Sequence, residues 1–156
     1  ISCSLVGSEM CIRDSNTTVV SRLIEGEYLK IDNILSADYE TKVKINKREF
    51  LSCIDRSTLL VKEADKKPII LDIKDDVMEL KMNSIVGSLD EEIDIVKNGK
   101  DLMIGFDPKF LIDALKVIDD EDIEIKLLNP KAPCFIKDEQ ESYIYLILPV
   151  TFSTVA

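Results

Sequence analysis

The chain has 156 residues, and its 20 basic and 30 acidic side chains give a formal net charge of −10. An apolar fraction of 46% predicts a folded core, and no apolar run reaches the roughly 18 residues that a membrane-spanning helix needs. The lack of histidine removes the commonest general base and metal ligand, and the acidic balance disfavours ordinary groove reading of DNA. The four cysteines form no C-x-x-C pair, which favours a reduced, cytoplasmic protein without a metal or another cofactor.

The first 15 residues, ISCSLVGSEMCIRDS, differ from the rest of the chain. They lack the basic start and long apolar run of a signal peptide, and their periodicity predicts neither a helix nor a strand beyond a few residues. The string SLVGSEMCIRDS resembles translated sequencing-adapter reads. We therefore predict that residues 1–15 are a non-native segment; the alternative is a natural N-terminal strand.

The next elements mark a boundary near residue 40. Thr17–Ile24 is a predicted strand that ends at a turn, and residues 28–40 are an irregular, polar connector. Lys42–Ile45 alternates as a short strand. Asn46 is a good N-cap for a helix that runs from Lys47 to about Leu60.

Four strands are predicted between the two helices. Pro68–Ile73 and Val77–Met82 form a hairpin, and Leu89–Val96 is the next strand. Asn98-Gly99 is the dipeptide of a tight hairpin turn with positive φ, which leads into a strand over Asp101–Phe106.

The last part of the chain predicts a helix and three strands. Asp107 caps the helix, Pro108 occupies its first position, and the helix runs to about Ile118. Its apolar stripe consists of Phe110, Leu111, Ala114, Leu115 and Ile118. Strands follow at Asp122–Leu128, Cys134–Lys137 and Tyr143–Pro149. Two helices among hairpin-connected strands predict an α+β domain with antiparallel sheets over residues 41–156.

The residues offer little support for catalysis. The run Asp119–Asp122 lacks the alternating ligands and glycine of a calcium loop, which favours a solvated loop over a cation site. Glu91, Glu92 and Asp94 could be offered as catalytic carboxylates, but a charged edge strand is the better interpretation. A carboxylate-dependent hydrolase is therefore the least favoured class.

Two segments have the character of interaction surfaces. Residues 85–124 hold twelve acidic and four basic side chains, and the strand SLDEEIDI over Ser88–Ile95 presents acids on one side. Such an edge invites a basic partner strand, or else it only solubilises the surface. The apolar stretch YIYLILPV over Tyr143–Val150 predicts either a docking groove for a short peptide or a fully buried last strand.

Four stretches together resemble the bacterial DNA polymerase III beta subunit, the sliding clamp: SRLIEGEYLKIDNIL (21–35), REFLSCIDRSTLL (48–60), MIGFDPKFLIDALKVID (103–119) and YIYLILPV (143–150). The resemblance covers about residues 17–152. It implies a DNA-clamp fold, in which two subunits of three similar domains form a head-to-tail ring around duplex DNA. It also implies a processivity factor without a catalytic site, whose second domain ends within residues 16–40 and whose third domain is 41–156.

The same resemblance implies a role for individual residues. The pocket for peptides of the polymerase, the clamp loader and repair proteins corresponds to Leu29, Asn33, Ile34, Pro133, Leu146, Leu148, Pro149 and Val150. The homodimer interface corresponds to Leu59, Leu60, Asp90, Glu91 and Asp94. Basic residues expected to face DNA are Lys47, Arg48, Arg56, Lys109 and Lys116.

Two features of the sequence depart from the family pattern. Leu29 and Asn33 stand where proline and arginine can occur, and the residues after Val150 lack the usual basic residue and short end. These departures are expected to alter the peptide preference of the pocket. In the family, the opposite wall of the pocket comes from the second domain, most of which is missing here, so the pocket is expected to be incomplete. The alternative to the clamp is a protein-interaction module unrelated to DNA, which would use the acidic strand and the apolar C-terminal groove.

Overall fold

The structure is a computed structural model that describes residues 2–6, 9–13, 16–22, 26, 38–60, 67–137 and 142–152. The chain divides into two compact units, Ile1–Ala37 and Asp38–Ala156. Within the described part, no helix is long and apolar enough to cross a membrane. The same residues contain no group of three or more cysteine or carboxylate side chains that could hold a metal ion.

A three-stranded antiparallel sheet forms the first unit. Its strands are β1 (Ser2–Val6), β2 (Glu9–Arg13) and β3 (Thr18–Arg22), in the order β1-β2-β3. Two of them, each of five residues, lie within residues 1–15, where the sequence pattern predicted neither a helix nor a strand beyond a few residues. The register pairs apolar positions across the first two strands, Cys3 with Ile12 and Leu5 with Met10, in runs too short for the sequence pattern to reveal. The non-native origin of residues 1–15 stays a prediction.

The second unit contains two helices and nine strands among its described residues. In chain order they are β4 (Thr41–Asn46), α1 (Lys47–Thr58), β5 (Ile69–Lys74), β6 (Val77–Asn83), β7 (Ser88–Asp94), β8 (Val96–Gly99), β9 (Leu102–Phe106), α2 (Pro108–Val117), β10 (Asp122–Leu127), β11 (Cys134–Lys137) and β12 (Ile144–Ile147). All strand pairs are antiparallel. The predicted α+β class is confirmed.

Two sheets and the two helices enclose one apolar core. The five-stranded sheet has the order β12-β11-β10-β4-β8, and the four-stranded sheet has the order β7-β6-β5-β9. The helices pack against each other and bury Phe50 and Ile54 from α1 and Leu111 and Leu115 from α2. Burial of one such side chain stabilises the fold by about 1.5–3 kcal/mol, so these helices are held firmly on the sheets.

The predicted helix starts are confirmed by their caps. The Asn46 side chain accepts a hydrogen bond from the Glu49 amide at 3.2 Å. The Asp107 carboxylate accepts one from the Lys109 amide at 3.0 Å, and Pro108 occupies the first turn of α2. Each cap satisfies a backbone donor that the helix itself leaves unpaired.

The connection through Gly99 differs from the prediction. The expected strand over Leu89–Val96 is divided at Ile95, where the chain leaves the four-stranded sheet and continues as β8 in the five-stranded sheet. Asn98 and Gly99 pair with Lys42 and Thr41 of β4, so the predicted tight hairpin between two strands of one sheet was wrong. Gly99 does adopt a positive φ of 123°, and a Cβ there would lie 2.0 Å from the Glu40 carbonyl oxygen. The close approach to β4 therefore requires glycine.

Candidate functional site

An apolar groove lies between α2 and the last strand. Its cavity of about 360 Å³ is lined from α2 by Phe110, Asp113 and Ala114 and from the C-terminal stretch by Tyr145, Leu146, Ile147 and Leu148. Leu148 is 64% exposed and Phe110 is 57% exposed, which is unusual for such large apolar side chains. An apolar concavity of this size can accept one or two aliphatic or aromatic side chains of a peptide.

Phe110, which the sequence analysis included in the apolar stripe of this helix, lines the groove. Leu111, Ala114, Leu115 and Ile118 of that stripe are buried as predicted. Phe110 lies about 90° around the helix from the centre of these four positions, since each residue of an α-helix turns by about 100°. The predicted apolar stripe is broad, so it includes the margin of the buried face, and Phe110 lies on that margin. A large aromatic side chain at the margin of the buried face was the sequence signal that could have indicated a role for Phe110 in binding.

The C-terminal segment forms the rim of the groove. After β12 the chain passes Leu148 and Pro149, and the Val150 amide then donates a hydrogen bond to the Gly105 carbonyl of β9 at 2.8 Å. The structure thus brings together four residues of the predicted pocket: Leu146, Leu148, Pro149 and Val150. The alternative of a fully buried last strand does not describe this segment, in which Ile147 is buried and Leu146, Leu148 and Val150 are exposed.

Of the other four residues of the predicted pocket, the structure describes only Pro133. Pro133 is half-buried and directly precedes Cys134, whose register partner in β12 is Ile147, so it lies at the same end of the sheet. Leu29, Asn33 and Ile34 lie outside the described residues. Tyr145, which the sequence did not single out, lines the groove.

The acidic strand β7 presents its carboxylates on two different sides. Glu91 shares one side with the buried Ile93, whereas Asp90 and Asp94 are exposed on the other. This follows from the two-residue period of a strand. A partner that approaches one face of the sheet meets only one of these sets, and a strand added at the edge can meet both.

Glu91 is held by an arginine fork from α1. Arg56 donates from Nε to Glu91 Oε1 at 2.7 Å and also contacts Oε2, while its other nitrogens donate to Ser52 Oγ at 2.7 Å and Cys53 Sγ at 3.1 Å. Hydrogen bonding from Arg56 lowers the pKa of Glu91. A general acid needs a raised pKa, so this carboxylate is unsuited to that role.

The thiol of Cys53 lies under this fork. Cys53 is 3% exposed, and burial, assisted by the nearby Glu91, raises its pKa to about 12. A thiol with such a pKa is a weak nucleophile at neutral pH. Cys53 therefore acts as a packing residue between α1 and the acidic strand.

The predicted interface leucines lie at the end of α1. Leu59 is 83% exposed and Leu60 is half-buried. A Cβ added at Gly87 would lie 4.0 Å from Leu60 Cδ2, so Leu60 sits against the turn between β6 and β7. Ile85 and Val86 in that turn are also exposed. The structure thus places an apolar surface beside the acidic strand.

The helices carry a positive charge excess within an acidic chain. The α1 sequence contains three basic and two acidic residues, and the α2 sequence contains two basic and one. Arg48, Lys109 and Lys116 are exposed. Arg56 is engaged with Glu91, and Lys47 Nζ donates to the Ile118 carbonyl at the end of α2, where a cation also complements the helix dipole.

Comparison with known proteins identifies the family. Residues 32–151 match the family described as DNA polymerase III beta subunit, C-terminal domain. The chain belongs to the DNA polymerase III beta subunit family. The resemblance noticed in the sequence is thereby confirmed.

Curated relatives and solved structures of the beta subunit family agree. Beta sliding clamps of Staphylococcus aureus and Staphylococcus epidermidis are 34% and 32% identical to the chain over 146 residues, which are 92% of the chain and 39% of each relative. A solved chain from Eubacterium rectale, assigned as a DNA polymerase III beta subunit, is 63% identical with a TM-score of 0.86, over 96% of this chain and 41% of that one. The sliding clamp of Bacillus subtilis is 30% identical with a TM-score of 0.82, over 97% and 41%. The chain thus spans about two fifths of the length of these beta subunits.

Proposed function

We propose that the chain is the C-terminal part of a DNA sliding clamp, a processivity factor that holds a replicative polymerase on its template without breaking or making bonds. Residues 41–156 would be the third clamp domain, residues 16–40 the end of the second and residues 1–15 a non-native segment. Membership of the beta subunit family supports this proposal. The protein would act in the bacterial cytoplasm, where the chromosome is replicated.

One observation carries the DNA-binding part of the proposal. Both helices carry an excess of basic residues although the chain as a whole has a net charge of −10. A ring that surrounds DNA is retained by topology, so it needs only a weakly positive lining where phosphates pass. We assign that lining to Arg48, Lys109 and Lys116 first, and to Lys47 and Arg56 second because these two already donate to groups of their own chain.

The ring would close through the end of α1 and the acidic strand. Leu59 and Leu60 offer an apolar contact, while Asp90, Glu91 and Asp94 offer negative charge to basic residues of a second subunit. The apolar surface supplies affinity, and the charges supply the register and orientation of a head-to-tail joint. The arginine fork on Glu91 leaves Asp90 and Asp94 as the carboxylates with more freedom to meet a partner.

The apolar groove would dock short peptides of the polymerase, the clamp loader and repair proteins. Leu146, Leu148, Pro149 and Val150 form or adjoin its rim, and Phe110 and Tyr145 add aromatic walls. Pro133, together with Leu29, Asn33 and Ile34, completes our assignment of the pocket. The interaction module unrelated to DNA is not favoured, since the family accounts for both of its surfaces.

Retention on circular DNA tests the function. The longer protein that contains this chain would be loaded onto a nicked circular plasmid by its clamp loader, and the bound fraction would be measured by gel filtration before and after the circle is linearised. We expect stable retention on circles and release after linearisation, because topology and not affinity holds the ring. Equal retention on linear and circular DNA would contradict the proposal.

A further inference from the structure

The end of the described chain packs over a glycine in β9. Gly105 is buried, and a Cβ at this position would lie 2.6 Å from Phe152 Cδ1 and 2.9 Å from the Val150 carbonyl oxygen. Carbon atoms that are not bonded do not approach so closely, so only glycine leaves room for the Phe152 ring here.

The same glycine also anchors the backbone of this segment. The Val150 amide donates to the Gly105 carbonyl at 2.8 Å, which adds a hydrogen bond at the outer edge of β9. Gly105 therefore makes two contacts with this segment: a backbone hydrogen bond with Val150 and a packing contact with the Phe152 ring. Leu148, on the rim of the groove, lies between this anchor and the end of β12 at Ile147.

We infer that Gly105 and Phe152 form a latch that sets the affinity of the apolar groove for its peptide. Neither residue lines the groove, so both are positioning residues that hold Leu148 and Pro149 in place through the chain that follows them. A binding wall held at two ends is preorganised, and a wall held at one end must be ordered when the peptide binds. This inference rests on the proposed function of the groove.

Two variants of the 156-residue chain test the latch. Gly105→Ala places a methyl group where the Phe152 ring lies, and Phe152→Ala removes the ring. The probe is a fluorescein-labelled hexapeptide that ends in Leu-Phe, chosen because the groove is lined by aliphatic and aromatic side chains. Its Kd is measured by fluorescence anisotropy, and exchange of the Val150 amide is measured by NMR without peptide.

Both variants are expected to expose the Val150 amide to exchange and to raise the Kd, Gly105→Ala by roughly tenfold and Phe152→Ala by less. The effects should be less than additive in the double variant, because either change alone opens the latch. Thr151→Ala is the matched control, since Thr151 is an exposed neighbour and should leave both measurements unchanged. Should Gly105→Ala fail to fold, Phe152→Ala at the end of the described chain still gives the answer.

The outcomes separate the latch from the proposed function. An unprotected Val150 amide in the wild type, or an unchanged Kd in both single variants, would overturn the latch. A longer protein that contains this chain and fails to bind the hexapeptide would argue against the peptide-docking function, since the pocket of the 156-residue chain is expected to be incomplete. In that case, loss of Val150 protection in both variants would still support the packing of Phe152 on Gly105.

Discussion

Arg56 and Glu91 compensate each other's charge, which changes what each can offer to a binding partner. Sequence reasoning placed Arg56 towards DNA and Glu91 towards a second subunit, and the structure joins the two side chains to each other. A carboxylate that is paired with an arginine of its own chain is already compensated, so it contributes less to an electrostatic field that attracts another chain. The contact joins residues 35 positions apart, and nothing in either local sequence pattern indicates it.

The Glu91 ion pair predicts a pH-dependent stability. Because Arg56 lowers the pKa of Glu91, this carboxylate stabilises the folded chain above the ordinary glutamate pKa, and its contribution is lost as the pH falls through the lowered value. Glu91→Gln should therefore lower the urea midpoint at neutral pH, and its difference from the wild type should shrink below about pH 4.

The matched control for this prediction is Glu92→Gln. Glu92 is exposed on the other side of the strand and faces Glu79 in the register, so removing its charge should leave stability unchanged or slightly raised. Urea titrations at a series of pH values measure all three proteins. If the urea midpoint of Glu91→Gln lies as far below that of the wild type at about pH 3 as at neutral pH, the ion pair is not the cause of the lost stability.

At the scale of elements, local signals predicted most of the second unit. The caps at Asn46 and Asp107, the hairpin between β5 and β6 and the three last strands all depend on residues within a few positions of each other. The change of sheet at Ile95 does not. It involves partners far away in the sequence: the Ile95 amide still donates to the Asp76 carbonyl beside β6 at 2.9 Å, and Val96 already pairs with Lys44 of β4. A single strand and a strand divided between two sheets have the same alternation, so the pattern could not distinguish them.

Gly99 provides the test of this element-level correction. Gly99→Ala combines a positive φ of 123° with a Cβ placed 2.0 Å from the Glu40 carbonyl oxygen, so it should push β8 away from β4. We expect a loss of about 2–3 kcal/mol in the free energy of unfolding, measured by urea titration. Gly87→Ala is the control, because a Cβ there meets only Leu60 at 4.0 Å and should change stability by less than about 1 kcal/mol. Equal effects of the two substitutions would mean that Gly99 stands in an ordinary turn.

At the scale of the whole molecule, the proposed function requires an acidic protein to surround DNA, and the distribution of its charge is compatible with that. The negative charge is concentrated in residues 85–124, where β7 at a sheet edge carries four of the twelve acidic side chains, and both helices carry a positive excess. Composition alone cannot reveal this separation, because it averages a charged edge and a basic helix pair into one number. Under the proposed function, the apolar end of α1 next to the acidic edge would be a joint between subunits.

The joint predicts a change of assembly on substitution of Leu59 and Leu60. In the longer protein that contains this chain, Leu59→Asp combined with Leu60→Asp should raise the dimer Kd by roughly a hundredfold or more, since it buries two charges in an apolar contact. Sedimentation velocity would then show monomers at concentrations where the wild type is a dimer. Leu59→Asp alone should leave the unfolding midpoint of the 156-residue chain nearly unchanged, because Leu59 is 83% exposed there.

Val96→Asp is the control for this joint. Val96 is 69% exposed on β8, in the other sheet from the acidic strand, so its substitution adds a charge without touching the proposed contact. The control protein should stay dimeric. A double leucine variant that sediments as the wild type does would remove α1 from the interface and leave the acidic strand to be explained as a solubilising edge, since charges without an apolar centre rarely hold two subunits together.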